Sequence, residues 1–169
     1  MTSAAFRHHF AGLFQFAYVT NDIERAKAVF AEQYGVRQFL TLPEPIASEV
    51  YREGRRVTNV LKLAFAGVDH NQIELIEPVD DGSGIYAEVL PESGFALVFH
   101  HVACRHRERA EWDAFRAGLD EQRHPIAIEN AAGPASFLYL DERKTLGHYM
   151  EYMWLDPASA AMFASIPNN

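Results

Sequence analysis

Four polar residues interrupt stretches of the chain that are otherwise apolar or aromatic, namely Gln15, Glu74, His101 and Glu151. A carboxylate in such a stretch costs folding free energy unless another group binds it. An amide oxygen, two carboxylates and one imidazole form an oxygen-rich set that suits zinc, nickel, cobalt, manganese or iron. We therefore predict that these four side chains converge on one divalent metal ion, which keeps room for water or a substrate.

Competing residues stand close to two members of this set. Gln72 shares a strand face with Glu74, and Glu77 follows near the end of the same stretch. His100 competes with His101, because a shift of one residue along a strand exchanges its two faces. Each residue alone is more typical of a core or edge position than of a metal ligand. The prediction rests on all four occurring at equivalent strands.

Hydrophobic periodicity and turn residues predict eight strands and four helices. Asn21 and Glu24 form a capping-box pattern at the start of the first helix. Residues 43–56 contain two prolines and Gly54, and we expect a loop there. The predicted strands lie near 13–19, 37–42, 57–66, 72–76, 97–104, 126–129, 136–141 and 148–154, and the predicted helices near 22–34, 84–90, 108–121 and 156–165.

The order of strand, helix and three strands occurs twice, and a faint repeat accompanies it. Gln15-Phe-Ala-Tyr is followed by Glu-Arg-Ala at 24–26, and His101-Val-Ala-Cys is followed by Glu-Arg-Ala at 108–110. Together the two observations predict an α+β fold built from two βαβββ modules. We place the parts within a single domain, residues 1–169, as module one at about 13–77, a linker at about 78–96, module two at about 97–154 and a C-terminal tail helix at about 156–165.

Composition excludes several classes of protein. The 169 residues carry a net charge of −8, which argues against a nucleic-acid partner. No run of apolar residues approaches the roughly 18 needed to cross a membrane, so we expect no membrane partner. The chain has 1 cysteine, which rules out an intrachain disulfide and favours a cytoplasmic protein. Its 49% hydrophobic and 22% charged residues are typical of a soluble globular protein.

The same stretches resemble motifs of the vicinal oxygen chelate superfamily, which includes glyoxalase I, methylmalonyl-CoA epimerase, extradiol dioxygenases and bleomycin-resistance proteins. The resemblance extends from about residue 13 to 154, and the order and spacing of the motifs make it specific to the superfamily. The motifs are Gln15-Phe-Ala-Tyr-Val-Thr-Asn-Asp-Ile-Glu-Arg-Ala, Gln72-Ile-Glu-Leu-Ile-Glu-Pro, His100-His-Val-Ala and Gly147-His-Tyr-Met-Glu-Tyr.

The resemblance implies an open, cup-shaped mixed sheet around the metal, with helices on its outer face. It implies ligands from the first and fourth strand of each module, which are Gln15, Glu74, His101 rather than His100, and Glu151. This set is similar to that of glyoxalase I of the zinc type. An extradiol dioxygenase is disfavoured, because Gln15 stands where its first histidine belongs. Family members with two modules often form homodimers, so we expect one here.

We therefore expect a metal-dependent lyase or isomerase that stabilises an enediolate or enolate of a small carbonyl substrate. Glu151 is the expected catalytic base, with Glu74 as its partner on the opposite face. Lys62 is predicted on the cup side of its strand, where it would contact an anionic substrate, and Tyr149 and Met153 would line the pocket. The alternative is a metal-free protein that binds a small molecule, like the bleomycin-resistance proteins.

Overall fold

The computed structural model describes residues 9–130 and 133–169. It contains nine strands, three α-helices and one short 3-10 helix over Ala87–Val89. The strands are β1 (Leu13–Thr20), β2 (Leu40–Thr41), β3 (Ile46–Arg52), β4 (Arg55–Val68), β5 (Asn71–Asp81), β6 (Leu97–His106), β7 (Ile126–Asn130), β8 (Ala135–Glu142) and β9 (His148–Leu155). The helices are α1 (Ile23–Tyr34), α2 (Arg109–Gly118) and α3 (Pro157–Ala164).

All nine strands belong to one mixed sheet that closes on itself as a barrel-like cup. The strand order is β2-β4-β3-β7-β8-β9-β6-β1-β5, and β4 also pairs with β5. This last pairing closes a ring of strands and leaves only β2 outside it. Strand β1 runs parallel to β5 and β6 runs parallel to β9, while β1 and β6 pair in antiparallel fashion.

Helices α1 and α2 pack on the outer face of this sheet. Ile23 and Phe30 of α1 join one outer cluster, and Trp112 and Phe115 of α2 join another. A third cluster fills the inside of the cup and includes Ala17, Val19, Ile76, Tyr139 and Tyr149. Strand alternation separates these layers, since successive side chains of a strand point to opposite faces. The expected mixed sheet with helices on its outer face is confirmed at this level, but the ring of strands is closed where an open cup was expected.

The prediction of a loop over 43–56 is wrong. Strand β3 lies in this stretch and pairs along its whole length with β4, from Ile46 opposite Leu61 to Arg52 opposite Arg55. The two residues between these strands, Glu53 and Gly54, have φ angles of 51° and 75°. This is the left-handed backbone that a two-residue hairpin turn requires, so Gly54 marks a tight turn rather than a long loop.

Two other local predictions need correction. The predicted strand at 37–42 shrinks to Leu40–Thr41, because the backbone amides of Arg37 and Gln38 donate to the Asn169 side chain instead of a neighbouring strand. The N-cap of α1 is Asp22, which accepts from the Arg25 amide. Asn21 bonds instead to Gly94 and Ala96, and so fastens the segment that leads into β6.

The segment after β5 is part of the core and not a simple linker. The Asp81 carboxylate accepts hydrogen bonds from the backbone amides of Gly84, Tyr86 and Ala87, which leaves only a short 3-10 turn where a helix at 84–90 was predicted. Ile85 and Tyr86 are buried inside the cup. Among the described residues, none of the helices has the length and apolar character needed to cross a membrane.

Candidate metal centre

Strand register brings the four predicted ligand residues to neighbouring positions on the inside of the cup. Ala17 of β1 lies opposite Glu74 on one side and opposite His101 on the other. Ala103 of β6 lies opposite both Gln15 and Glu151. Both alanines are fully buried. The small side chains of these two alanines therefore leave room for the longer polar side chains around them.

Three of these residues form a compact buried group. Nε2 of His101 lies 3.2 Å from Oε2 of Glu151 and 3.5 Å from Oε2 of Glu74. One ligand atom from each of the three residues falls within 4.8 Å of the others. Their exposed fractions are 7% for Glu74, 0% for His101 and 4% for Glu151. Two carboxylates and an imidazole at such distances can hold a divalent cation.

A β-bulge turns both adjacent histidines inward, and their contacts distinguish them. In the β1–β6 ladder, Ala17 lies opposite His101 and Tyr18 lies opposite Phe99, so His100 is the extra residue. Such a bulge disturbs strict alternation. Both imidazoles are consequently buried inside the cup, and their Nδ1 atoms are 2.9 Å apart. His101 reaches the carboxylates, whereas Nε2 of His100 lies 2.9 Å from the carbonyl oxygen of Ile85.

Charge interactions within the group shift the pKa values of its members. Burial alone would lower the pKa of His101, but hydrogen bonds and attraction to Glu151 and Glu74 outweigh it and raise the pKa to about 9. Burial raises the pKa of Glu151 above its usual value, although His101 opposes the shift. Burial and the neighbouring His101 lower the pKa of His100 to about 3. Without a metal, His101 is therefore the cation that two carboxylates share.

Two buried oxygen atoms in this region indicate that the group suits a cation. Oε1 of Gln15 accepts no hydrogen bond from the described residues, and Oε2 of Glu151 lies 3.2 Å from Nε2 of His101 without a hydrogen bond of good geometry. Nε2 of Gln15 donates to Oε1 of Gln72 at 3.4 Å. Gln72 therefore orients the Gln15 amide and does not take its place beside the buried group. Buried oxygens without a donor are costly in a folded protein. A divalent metal would satisfy them.

The predicted wall residues lie on the expected face. Tyr149 belongs to the inner cluster, and Met153 is buried opposite Phe137, which packs against that cluster. Met150 and Tyr152, which alternate with them, pack with α2 on the outside. The Tyr149 hydroxyl donates to Glu88, a residue of the 3-10 turn.

Tyr139 is a neighbour of the group that sequence reasoning missed. Its hydroxyl is 3.5 Å from Nε2 of His101, and it lies opposite Glu151 in the β8–β9 ladder. Burial raises its pKa well above the usual value, so it remains a hydrogen-bond donor. The alternation of β8 could have placed it inside, because Phe137, Tyr139 and Asp141 share one face.

Lys62 does not lie where the sequence placed it. It alternates with Leu61 and Leu63, which pack inside the cup, and so faces outward with Ala64. Its Nζ is 2.6 Å from Oε1 of Glu77. The prediction of a cup-side lysine is wrong, because apolar residues occupy both faces of β4 and give no signal for the side.

Glu77, the second competitor of Glu74, also lies outside the group. Its Oε2 accepts from the backbone amide of Ile23 at the start of α1. With one oxygen on the helix and the other on Lys62, this carboxylate is already satisfied. The two acidic residues of β5 therefore have different settings, and only Glu74 joins the buried group.

Comparison with known proteins agrees with this architecture. The family model for the Glyoxalase/Bleomycin resistance protein/Dioxygenase superfamily matches residues 14–137. No curated protein sequence matches the chain significantly. A methylmalonyl-CoA epimerase from Mycobacterium tuberculosis is similar in structure, with 18% identity, a TM-score of 0.52 and coverage of 89% of this chain and 91% of that chain.

A second structure supports the same conclusion about the fold. It is a methylmalonyl-CoA epimerase variant from Streptomyces coelicolor in complex with 2-nitronate-propionyl-CoA. Its identity to this chain is 15%, its TM-score is 0.55, and the match covers 87% of this chain and 96% of that chain. At identities this low, the structural similarity shows a shared fold and not a shared reaction.

Proposed function

Because the chain belongs to the glyoxalase/bleomycin resistance protein/dioxygenase superfamily, we propose that it is a metal-dependent lyase or isomerase acting next to a substrate carbonyl group. The observation that supports this most is the buried group of Glu74, His101 and Glu151. Two carboxylates beside one histidine on the inside of a cup are expensive to bury without a function. The epimerase structures with the same fold make this reaction class the first to test.

In this proposal, Gln15, Glu74, His101 and Glu151 hold one divalent ion. The ion, when bound, acts as a Lewis acid that stabilises the negative charge of an enediolate or enolate. Zinc, nickel, cobalt, manganese and iron all suit this mixed set of donors. The buried Oε1 of Gln15, which has no donor among the described residues, is the specific support for four ligands rather than three.

Glu151 is the proposed base that removes a proton from the carbon next to the carbonyl group. Its carboxylate lies beside His101 and Glu74 on the inside of the cup, and the proposal requires that substrate displace it from the ion before it takes the proton. Glu74 is the proposed partner that returns a proton from the other side. Tyr149 and Met153 would form part of the pocket wall, since both follow the inward alternation of β9.

The division into two βαβββ modules is also part of the proposal. Its support is that both halves have this order once the two-residue strand β2 is set aside, and that β1 pairs in parallel with β5 just as β6 pairs with β9. Each half then contributes one residue from its first strand and one carboxylate from its last strand. Gln15 and Glu74 come from the first half, and His101 and Glu151 come from the second.

Metal analysis of the purified protein tests the proposal directly. We expect one divalent ion per chain after reconstitution, and a free metal concentration of 100 times Kd should stabilise the fold by about 2.7 kcal/mol. For a chain of this length, that raises Tm by about 5–10 °C. Glu151→Gln should abolish the increase, whereas Glu92→Gln, an equivalent change at an exposed carboxylate, should preserve it.

A proton-exchange screen tests the reaction. Deuterium exchange next to the carbonyl group of 2-hydroxyacyl-CoA thioesters, methylmalonyl-CoA and glutathione hemithioacetals can be followed by proton NMR. We expect exchange with the metal-loaded protein and none with Glu151→Gln. A protein that retains no metal and binds an organic ligand without exchange would refute the proposal and favour the metal-free binding alternative.

A further inference from the structure

The two adjacent histidines form a chain of hydrogen bonds whose direction the structure determines. Nε2 of His100 lies 2.9 Å from the carbonyl oxygen of Ile85, and its Nδ1 lies 2.9 Å from Nδ1 of His101. A carbonyl oxygen only accepts, so Nε2 of His100 carries the hydrogen. A neutral imidazole has one donor and one acceptor, and Nδ1 of His100 must therefore accept. The donor is then Nδ1 of His101.

The surroundings of His100 maintain this neutral form. Its ring lies between two tyrosine rings, with centroid distances of 5.1 Å to Tyr86 and 4.9 Å to Tyr149. The edge of the Tyr139 ring also faces it, at 6.3 Å. Its exposed fraction is 2%. Among the residues that the structure describes, a charged imidazole here would have no counterion in contact, unlike His101, which lies beside two carboxylates.

We propose that His100 is a positioning residue that accepts the Nδ1 hydrogen of His101 and so directs Nε2 of His101 toward Glu74 and Glu151. The β-bulge makes this possible, because regular alternation would send His100 to the outer face. The Ile85 carbonyl is the fixed end of the chain, since Asp81 holds the adjacent backbone amides of Gly84 and Tyr86.

This inference rests on the proposed function where it concerns metal affinity, but the hydrogen-bond direction stands independently. Groups that orient a metal-binding histidine through its other nitrogen typically change metal affinity 10- to 100-fold when removed. The expected loss for His100→Leu is therefore about 10- to 100-fold in zinc affinity. In His100→Asn, the amide oxygen can occupy the place of Nδ1 and accept the same hydrogen, so this variant should recover most of the loss.

Nitrogen NMR of the histidine side chains provides the decisive measurement. In the zinc-loaded protein, we expect a hydrogen on Nε2 of His100 and on Nδ1 of His101, and the same His100 tautomer in the metal-free protein. A hydrogen on Nδ1 of His100 would overturn the inference. So would a His100→Leu variant that folds and binds zinc as tightly as the unchanged protein, or a His100→Asn variant no tighter than His100→Leu.

The same data separate a failure of the inference from a failure of the proposed function. If the unchanged protein binds no divalent metal, the proposed function fails, and the tautomer of His100 still decides whether it accepts from His101. His106→Asn is the matched control, since that histidine packs against α2 residues Trp112 and Phe115 and not in the buried group. It should leave zinc affinity unchanged.

Discussion

Raising the pH of the metal-free protein from 7 to 9 should lower its free energy of unfolding by about 2 kcal/mol. The reason is that the folded protein raises the pKa of His101 from 6.5 to about 9. A group whose pKa is raised on folding stabilises the protein below its unfolded pKa, and this contribution disappears as the pH passes the folded pKa. Glu151, whose pKa is also raised, acts with the same sign.

The range from pH 7 to 9 separates His101 from the other groups with shifted pKa values. Burial lowers the pKa of His9, His100 and His106, so their contributions change mainly below pH 6.5. Burial raises the pKa of Cys104 to about 12, and its contribution begins to fall only above about pH 9. The change in the free energy of unfolding between pH 7 and 9 therefore reports on the buried group.

Thermal unfolding in a chelating buffer series is the measurement. A loss of 2 kcal/mol corresponds to a decrease in Tm of about 4–8 °C for a chain of this length. His101→Gln should remove the slope, whereas His106→Gln should keep it. A Tm that stays constant or rises between pH 7 and 9 in the unchanged protein would refute the assignment of His101 as a shared cation.

Three substitutions test the packing that supports the site. Trp112→Ala should cost about 3–5 kcal/mol in chemical unfolding, because this residue is 4% exposed between α2 and the sheet; a loss under 1 kcal/mol would contradict that packing. Phe163→Ala should cost about 1–2 kcal/mol, since the ring lies 5.4 Å from that of Phe65 and ties α3 to the sheet; an unchanged midpoint of unfolding would show that α3 does not dock. Asp22→Ala should cost about 1 kcal/mol as the loss of an N-cap, measured by thermal unfolding; an unchanged Tm would show that Asp22 does not cap the helix.

The parts of the fold that follow from alternation were predictable. In β9, the period of two placed Tyr149 and Glu151 on one face and Met150 on the other, and the structure has this arrangement. The first strand behaved in the same way, with Ala17 inside and Tyr18 toward α1. Strand β1 carries small or polar residues on one face and large aromatic residues on the other, so its pattern is unambiguous, and in β9 the single carboxylate of Glu151 marks the inner face.

Features that depend on distant partners were not predictable. The β-bulge that turns both His100 and His101 inward is a property of the β1–β6 ladder. The sequence of β6 alone does not predict it. The outward position of Lys62 depends on which face of β4 meets α1, and both faces are apolar. The shortness of β2 results from competition by Asn169, more than a hundred residues away along the chain.

The ring of strands is not equally strong all the way round. Within residues 9–130 and 133–169, the β3–β7 ladder joins Val50 to Asn130 and Tyr51 to Glu129, whereas the β8–β9 ladder runs from Ala135 to Glu142 without interruption. Each backbone hydrogen bond contributes about 1 kcal/mol, so separating two strands at a short ladder requires the least free energy. Local opening of the cup, and the earliest exchange of backbone amide protons among the ring strands, belong at this junction between the two halves.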